Sequence, residues 1–152
     1  MLQRIRRSMK EHPAGWMIGL ITLLGFVLRV IHAFWGFPLL LLGDEVAIVD
    51  NALDLVERGS YLSYVYNRPD QFEIKCCALI FAIARWIASL CGTTLAQWHY
   101  HLMARLYTVC FGTALIPMTG ILAGKMVRRD SISPRVTACM ASFLMAFCVL
   151  FV

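Results

Sequence analysis

Two adjacent carboxylates, Asp44 and Glu45, follow directly on an apolar stretch long enough to cross a bilayer. Acids at the exit of a span are costly to bury and easily used, so they are the first place to look for chemistry. Cations accompany them. Arg29 and His32 lie near the end of the apolar stretch, Arg68 and Lys75 follow in the next polar segment, and Arg105 opens a later apolar run. Guanidinium and ammonium groups at headgroup depth suit a phosphate or pyrophosphate carried on a lipid. A carboxylate beside them suits removal of a proton from an acceptor hydroxyl. Together these are the requirements for moving a group from a lipid phosphate to an acceptor.

Each of these residues also has a plainer use. Arg29 and Arg105 could reach headgroups along their own apolar stems, and His32 could simply pack. Asp44 could cap the helix that follows it, and Glu45 could favour the positive helix N-terminus. Asp50, Asp54 and Glu57 read as a solvated helix face, and Arg85 as a base that reaches the surface or pairs within its loop. His99 and His101, flanking Tyr100 next to Trp98, fit an aromatic belt better than a metal site.

The elements that must position these side chains follow from composition. Of 152 residues, 60% are hydrophobic, well above the ~45–50% of a soluble domain. The formal charge of +5 is dispersed or sits at span ends, and no nucleic-acid-binding pattern accompanies it, so nucleic acid is not an expected partner. The six cysteines lie in or beside apolar runs without a CxxC and read as small helix-interface fillers.

A basic start, Arg4, Arg6, Arg7 and Lys10 against Glu11, precedes an apolar stretch over about 16–35, about 30 Å of helix. It is longer than a signal peptide's apolar region and lacks a cleavage site, which predicts a retained first span with a cytoplasmic N-terminus. Residues 43–75 then hold seven acids against three bases. Within them Val46, Val49, Leu53 and Val56 recur at helical spacing, predicting an amphipathic surface helix over 44–58 that stops at Gly59.

The apolar run 76–91 amounts to only about 24 Å of helix and carries Arg85. If it crossed the membrane, the basic segment 125–135 would lie outside; if not, that segment shares the N-terminal side. Length, Arg85 and the charge rule favour a juxtamembrane helix. A second span is expected over 101–124, with Pro117 bending it and Gly120 and Gly124 allowing close helix packing. A third is expected over 135–152, opened by Ser133–Pro134. It runs on without a stop signal, so the chain reads as the N-terminal part of one transmembrane domain of a longer protein, inactive alone.

The order of these features resembles the multispan C-class glycosyltransferases. Gly43-Asp44-Glu45 opens a surface helix ending Glu57-Arg58-Gly59-Ser60-Tyr61. Arg68-Pro69, an apolar helix ending Cys91-Gly92, and Ala104-Arg105-Leu106 then lead into a span. The nearest likeness is to the dolichyl-phosphate-mannose protein mannosyltransferase-like branch, which includes the bacterial aminoarabinose transferase acting on lipid A. It extends over about residues 15–150.

The resemblance implies an all-α membrane protein, the N-terminal part of a helical bundle with juxtamembrane helices in the first outer loop, 43–100. It implies Asp44 as the catalytic base of an inverting transfer from a polyprenyl-phosphate sugar, with Glu45, Arg68, Arg29, Lys75 and Arg105 on the substrate. The acceptor would be a glycan, lipid or protein, and the setting a bacterial inner membrane or its equivalent. No metal motif is present, and a divalent cation is the one cofactor left open. Three departures bear on donor and acceptor: Arg68-Pro69-Asp70 replaces a double-proline or His-Pro step, Ala47 stands where some members carry Arg, and a second acidic site would lie beyond Val152. The rival readings are a transporter, whose charges would lie at the bilayer midplane, and a non-catalytic membrane scaffold.

Overall fold

The computed structural model describes residues 12–36, 43–60, 69–127 and 133–148. These residues form five helices and no strand: α1 Pro13–Ala33, α2 Gly43–Arg58, α3 Gln71–Leu90, α4 Gln97–Met126 and α5 Pro134–Cys148. The all-helical expectation is therefore met among the described residues. α1 and α4, of 21 and 30 residues, are long and apolar enough to cross a membrane. α5 has 15 residues, about 22 Å, which falls short of a span by itself. The remainder of the expected third span, 149–152, lies outside the described residues, as do the basic residues at 4, 6, 7 and 10.

Local chemistry explains the boundaries. Pro13 and Pro134 occupy first helical positions, where the missing N–H costs nothing. α2 stops at Gly59, whose φ of 63° suits glycine, and Ser60 N–H donates back to Leu55 O while Gly59 N–H donates to Val56 O. α3 stops at Gly92 by the same paired bonds, from Thr93 to Ala88 and from Gly92 to Ser89.

The chain divides into two compact units. One comprises the segment up to His32 together with that from Thr108 onward, and the other is Ala33–Tyr107. In the first, Gly120 and Gly124 let α4 and α5 approach closely. A Cβ at Gly120 would strike Ser142 Oγ and meet Ala138 O at 2.9 Å, and one at Gly124 would meet Pro134 O at 3.1 Å. Ser142, fully buried, donates to Ile116 O at 3.2 Å. The close packing expected from the glycine pair is present.

In the second unit, α2 and α3 pack along one another. Val49, Ala52 and Leu55 meet Ile74, Cys77, Ala78 and Phe81, and the cluster takes in Tyr100 and Ala104 from the start of α4. Phe81 and Tyr100 make an edge-to-face pair with centroids 5.1 Å apart. The apolar stripe of α2 is thus filled by protein, where the sequence suggested membrane. α3 also begins five residues earlier than expected. Ile74 joins the buried face, and that carries Gln71–Lys75 into the helix despite Glu73 and Lys75.

Candidate functional site

The sequence-predicted residues Glu45 and Arg105 meet in the second unit. α4 presents His101 and Arg105 one turn apart on a single face, and the first turn of α2 presents Glu45 to both. Arg105 Nε donates to Glu45 Oε1 and Nη2 to Oε2, both at 2.8 Å, giving a two-pronged pair. Nη1 donates to Ala33 O at 2.9 Å and to Trp35 O at 2.7 Å. Ala33 ends α1, so Arg105 satisfies a carbonyl that has no partner within its own helix and places a cation at the negative end. One guanidinium therefore joins the end of α1, the start of α2 and the body of α4.

His101 completes the arrangement. Its ring is fully buried and Nδ1 lies 3.2 Å from Glu45 Oε1. An ionised carboxylate only accepts, so Nδ1 is the donor. Nε2 is buried and has no hydrogen-bond partner. The Glu45 and Arg105 side chains are 12% and 14% exposed, so the pair is sheltered from water and its rupture is expensive.

Asp44, by contrast, is exposed, although it stands one residue before Glu45. Successive residues on a helix point about 100° apart, so Glu45 can turn inward while its neighbour points elsewhere. The carboxylate pair thus divides: one acid is locked inside and the other is offered outside. Asp44 and Glu45 both fall within the first turn of α2, where acids suit the positive helix end as expected for Glu45; Asp44, expected as a cap, stands one residue inside the helix.

The remaining site residues are dispersed. Lys75 is exposed in the second turn of α3. Arg68 lies outside the described residues. Arg29 belongs to the other unit, where it is 5% exposed; Nη1 donates to Gly25 O at 3.1 Å and Nη2 to Met145 O at 3.2 Å. Arg85 lies 3.9 Å from Glu57, and Arg58 pairs with Asp54 at 2.6 Å; both pairs are largely solvated and worth little. Trp98 stacks on His99 at 3.7 Å, and Ala96 N–H donates to His99 Nδ1.

His101 is the residue that sequence reasoning assigned elsewhere. The available signal was its four-residue spacing from Arg105, which puts imidazole and guanidinium side by side and so calls for an acid. Cys77 bears out the filler reading of its type. It is buried, and that burial, reinforced by Glu73 and Cys76, pushes its thiol up to about 12. Among the described residues no group of three or more His, Cys, Asp or Glu is placed to hold a metal ion. Comparison with protein-family models, curated proteins and solved structures finds no match.

Proposed function

We propose that this chain is part of a membrane glycosyltransferase that moves a sugar from a polyprenyl-phosphate donor to an acceptor hydroxyl or phosphate on the outer (periplasmic or lumenal) face. The observation that carries this reading is the division of the carboxylate pair: Glu45 is held by Arg105 and His101, while Asp44 stays exposed at the start of α2. An anchored neighbour fixes the position of an exposed acid, and a general base must be held in a fixed position.

In the proposed reaction with a hydroxyl acceptor, its oxygen attacks the anomeric carbon as Asp44 takes the proton. The bond from that carbon to the phosphate oxygen breaks, and its electron pair leaves with the polyprenyl phosphate. One displacement inverts the anomeric centre and needs no covalent enzyme intermediate. We assign the departing charge to Arg68 and Lys75, since preorganised cations can contribute several kcal/mol to such a step. Arg29 and Arg105 are omitted from that role because their Nη1 and Nη2 donors face protein oxygens. Arg105 acts instead as a positioning residue.

The topology that goes with this reading has the N-terminus and the 125–135 segment in the cytoplasm, with α2 and α3 outside. Membranes holding the parent protein, supplied with radiolabelled polyprenyl-phosphate sugars, provide the test. Asp44→Asn should lower transfer by about a hundredfold or more, in the range of a lost general base, while insertion is unchanged. Transfer within about tenfold of wild type contradicts the base role.

A further inference from the structure

The turn between α3 and α4 presents an aromatic ring in polar company. Trp98, in the first turn of α4, is 47% exposed and stacks on His99 with ring centroids 3.7 Å apart and planes 26° from parallel. His99 is pinned in turn, its Nδ1 lying 3.0 Å from the Ala96 nitrogen and 3.1 Å from the Ala96 oxygen. The turn itself is tied down by Thr93, whose N–H donates to Ala88 O at 2.9 Å. The indole is therefore a fixed plate, backed by an imidazole, with nearly half of the residue still open.

Its surroundings set it apart from a lipid anchor. Thr94 and Gln97 are exposed beside it, and no Lys or Arg lies between Arg85 and Arg105. Leu95, the one large aliphatic residue of the turn, packs inward against the core of α2 and α3. A membrane-belt aromatic keeps company with aliphatic side chains and basic anchors. A rigid ring among hydroxyl and amide groups, with an N–H at its own edge, suits a sugar instead. The C–H face of a sugar ring covers the aromatic plane, and its hydroxyls meet the polar rim.

Helical register ties this plate to the exposed acid. Trp98, His101 and Arg105 stand at spacings of three and four and so share one face of α4. At 1.5 Å per residue, Trp98 lies about 4.5 Å of rise from His101 and about 10.5 Å from Arg105. Glu45 bonds to both of those residues, which sets the first turn of α2, Asp44 included, alongside that same face. All of these residues belong to one compact unit.

We propose that Trp98 is the stacking platform for a pyranose ring bound next to Asp44, with Thr94 and Gln97 offered to its hydroxyls. This rests on the glycosyl-transfer reading given above and names what holds the sugar while Asp44 acts. An acceptor saccharide and the sugar of the donor share this chemistry, and the test separates them.

Trp98 reports on itself once Trp16, Trp35 and Trp86 are changed to Phe and the full chain is placed in phosphatidylcholine liposomes. Its emission should change saturably with trisaccharides of glucose, mannose, galactose or N-acetylglucosamine. Sorbitol, which has the hydroxyls without the ring, should have no effect. A response to a free trisaccharide supports the platform and assigns the ring to the acceptor. A response confined to polyprenyl-phosphate sugars, and absent with polyprenyl phosphate alone, supports it and assigns the ring to the donor. Silence toward every sugar, or an equal response to sorbitol, overturns the proposal. So does quenching by acyl-chain-brominated lipids without a sugar response, which makes Trp98 a membrane anchor. In the transfer assay, Trp98→Ala should raise KM for the stacked substrate about three- to tenfold with kcat little changed, and Trp98→Tyr should recover most of the loss. An unchanged KM in Trp98→Ala overturns the platform and leaves the Asp44 reading intact. Sugar-dependent Trp98 emission alongside full transfer by Asp44→Asn supports the saccharide site and removes the base role. Should the single-tryptophan protein fail to fold, Trp98→Tyr in the otherwise wild-type chain gives the same readout: loss of the sugar-dependent emission change supports the proposal, and its persistence overturns it.

Discussion

Two arginines, Arg29 buried and Arg105 half-buried, show how differently this molecule handles the same charge. Arg105 faces both oxygens of a carboxylate and two main-chain carbonyls. Arg29 faces the carbonyls of Gly25 and Met145, its Nε has no partner, and no acid lies among the described residues of its unit. A guanidinium with a matched anion fixes geometry. One with carbonyls alone holds two helices together at a net electrostatic cost. The comparison assigns precision to the start of α2 and mere attachment to the α1–α5 contact.

Replacing Arg105 is the most damaging way to probe this contrast. Arg105→Met takes both guanidinium bonds from the sheltered Glu45 carboxylate, leaving it only His101, and should cost about 3–5 kcal/mol, measured by denaturant titration in detergent micelles. Adding Glu45→Met should restore most of that loss, because the uncompensated charge goes with it. Additive losses in the double variant would mean that the two side chains do not interact.

A smaller effect is expected in the other unit. Gly120→Leu drives a side chain into Ser142 and the Ala138 carbonyl and should cost about 1–3 kcal/mol, read as a lower melting temperature. Arg29→Met should stay within about 1 kcal/mol of wild type or exceed it, since an apolar side chain of similar length suits its surroundings better. A loss as large as that of Arg105→Met would erase the distinction between the two arginines.

Cysteine reactivity gives the smallest perturbation. Cys91 is exposed and should alkylate readily at about pH 8. Cys77, with its thiol raised to about 12, stays protonated through neutral and mildly basic pH and should react only on unfolding. Mass spectrometry of the alkylated protein separates the two sites.

Much of the architecture was legible because it rests on local rules. Pro134, Gly59 and the apolar runs mark boundaries through backbone chemistry that operates within a turn, and α5 starts within one residue of its expected position. The misplaced boundaries share a cause. Glu73 and Lys75 look like loop until Ile74 finds its place in the core, and α4 begins four residues early because Tyr100 is drawn inward by Phe81. The site was half legible. Asp44, Glu45 and Arg105 stood out by type and by their position beside spans. Their division of labour did not, because the partners of Glu45 lie 56 and 60 residues away and only packing brings them together. Burial of His101 was hidden for the same reason, since an interfacial aromatic belt and a packed core use the same residue types.

The central claim is that Asp44 faces the non-cytoplasmic surface while its neighbour is locked within the protein. Labelling of Asp44→Cys in intact cells with a membrane-impermeant maleimide tests it most directly. Modification from the non-cytoplasmic side before permeabilisation is the predicted result; modification only after the reagent reaches the cytosol would contradict it.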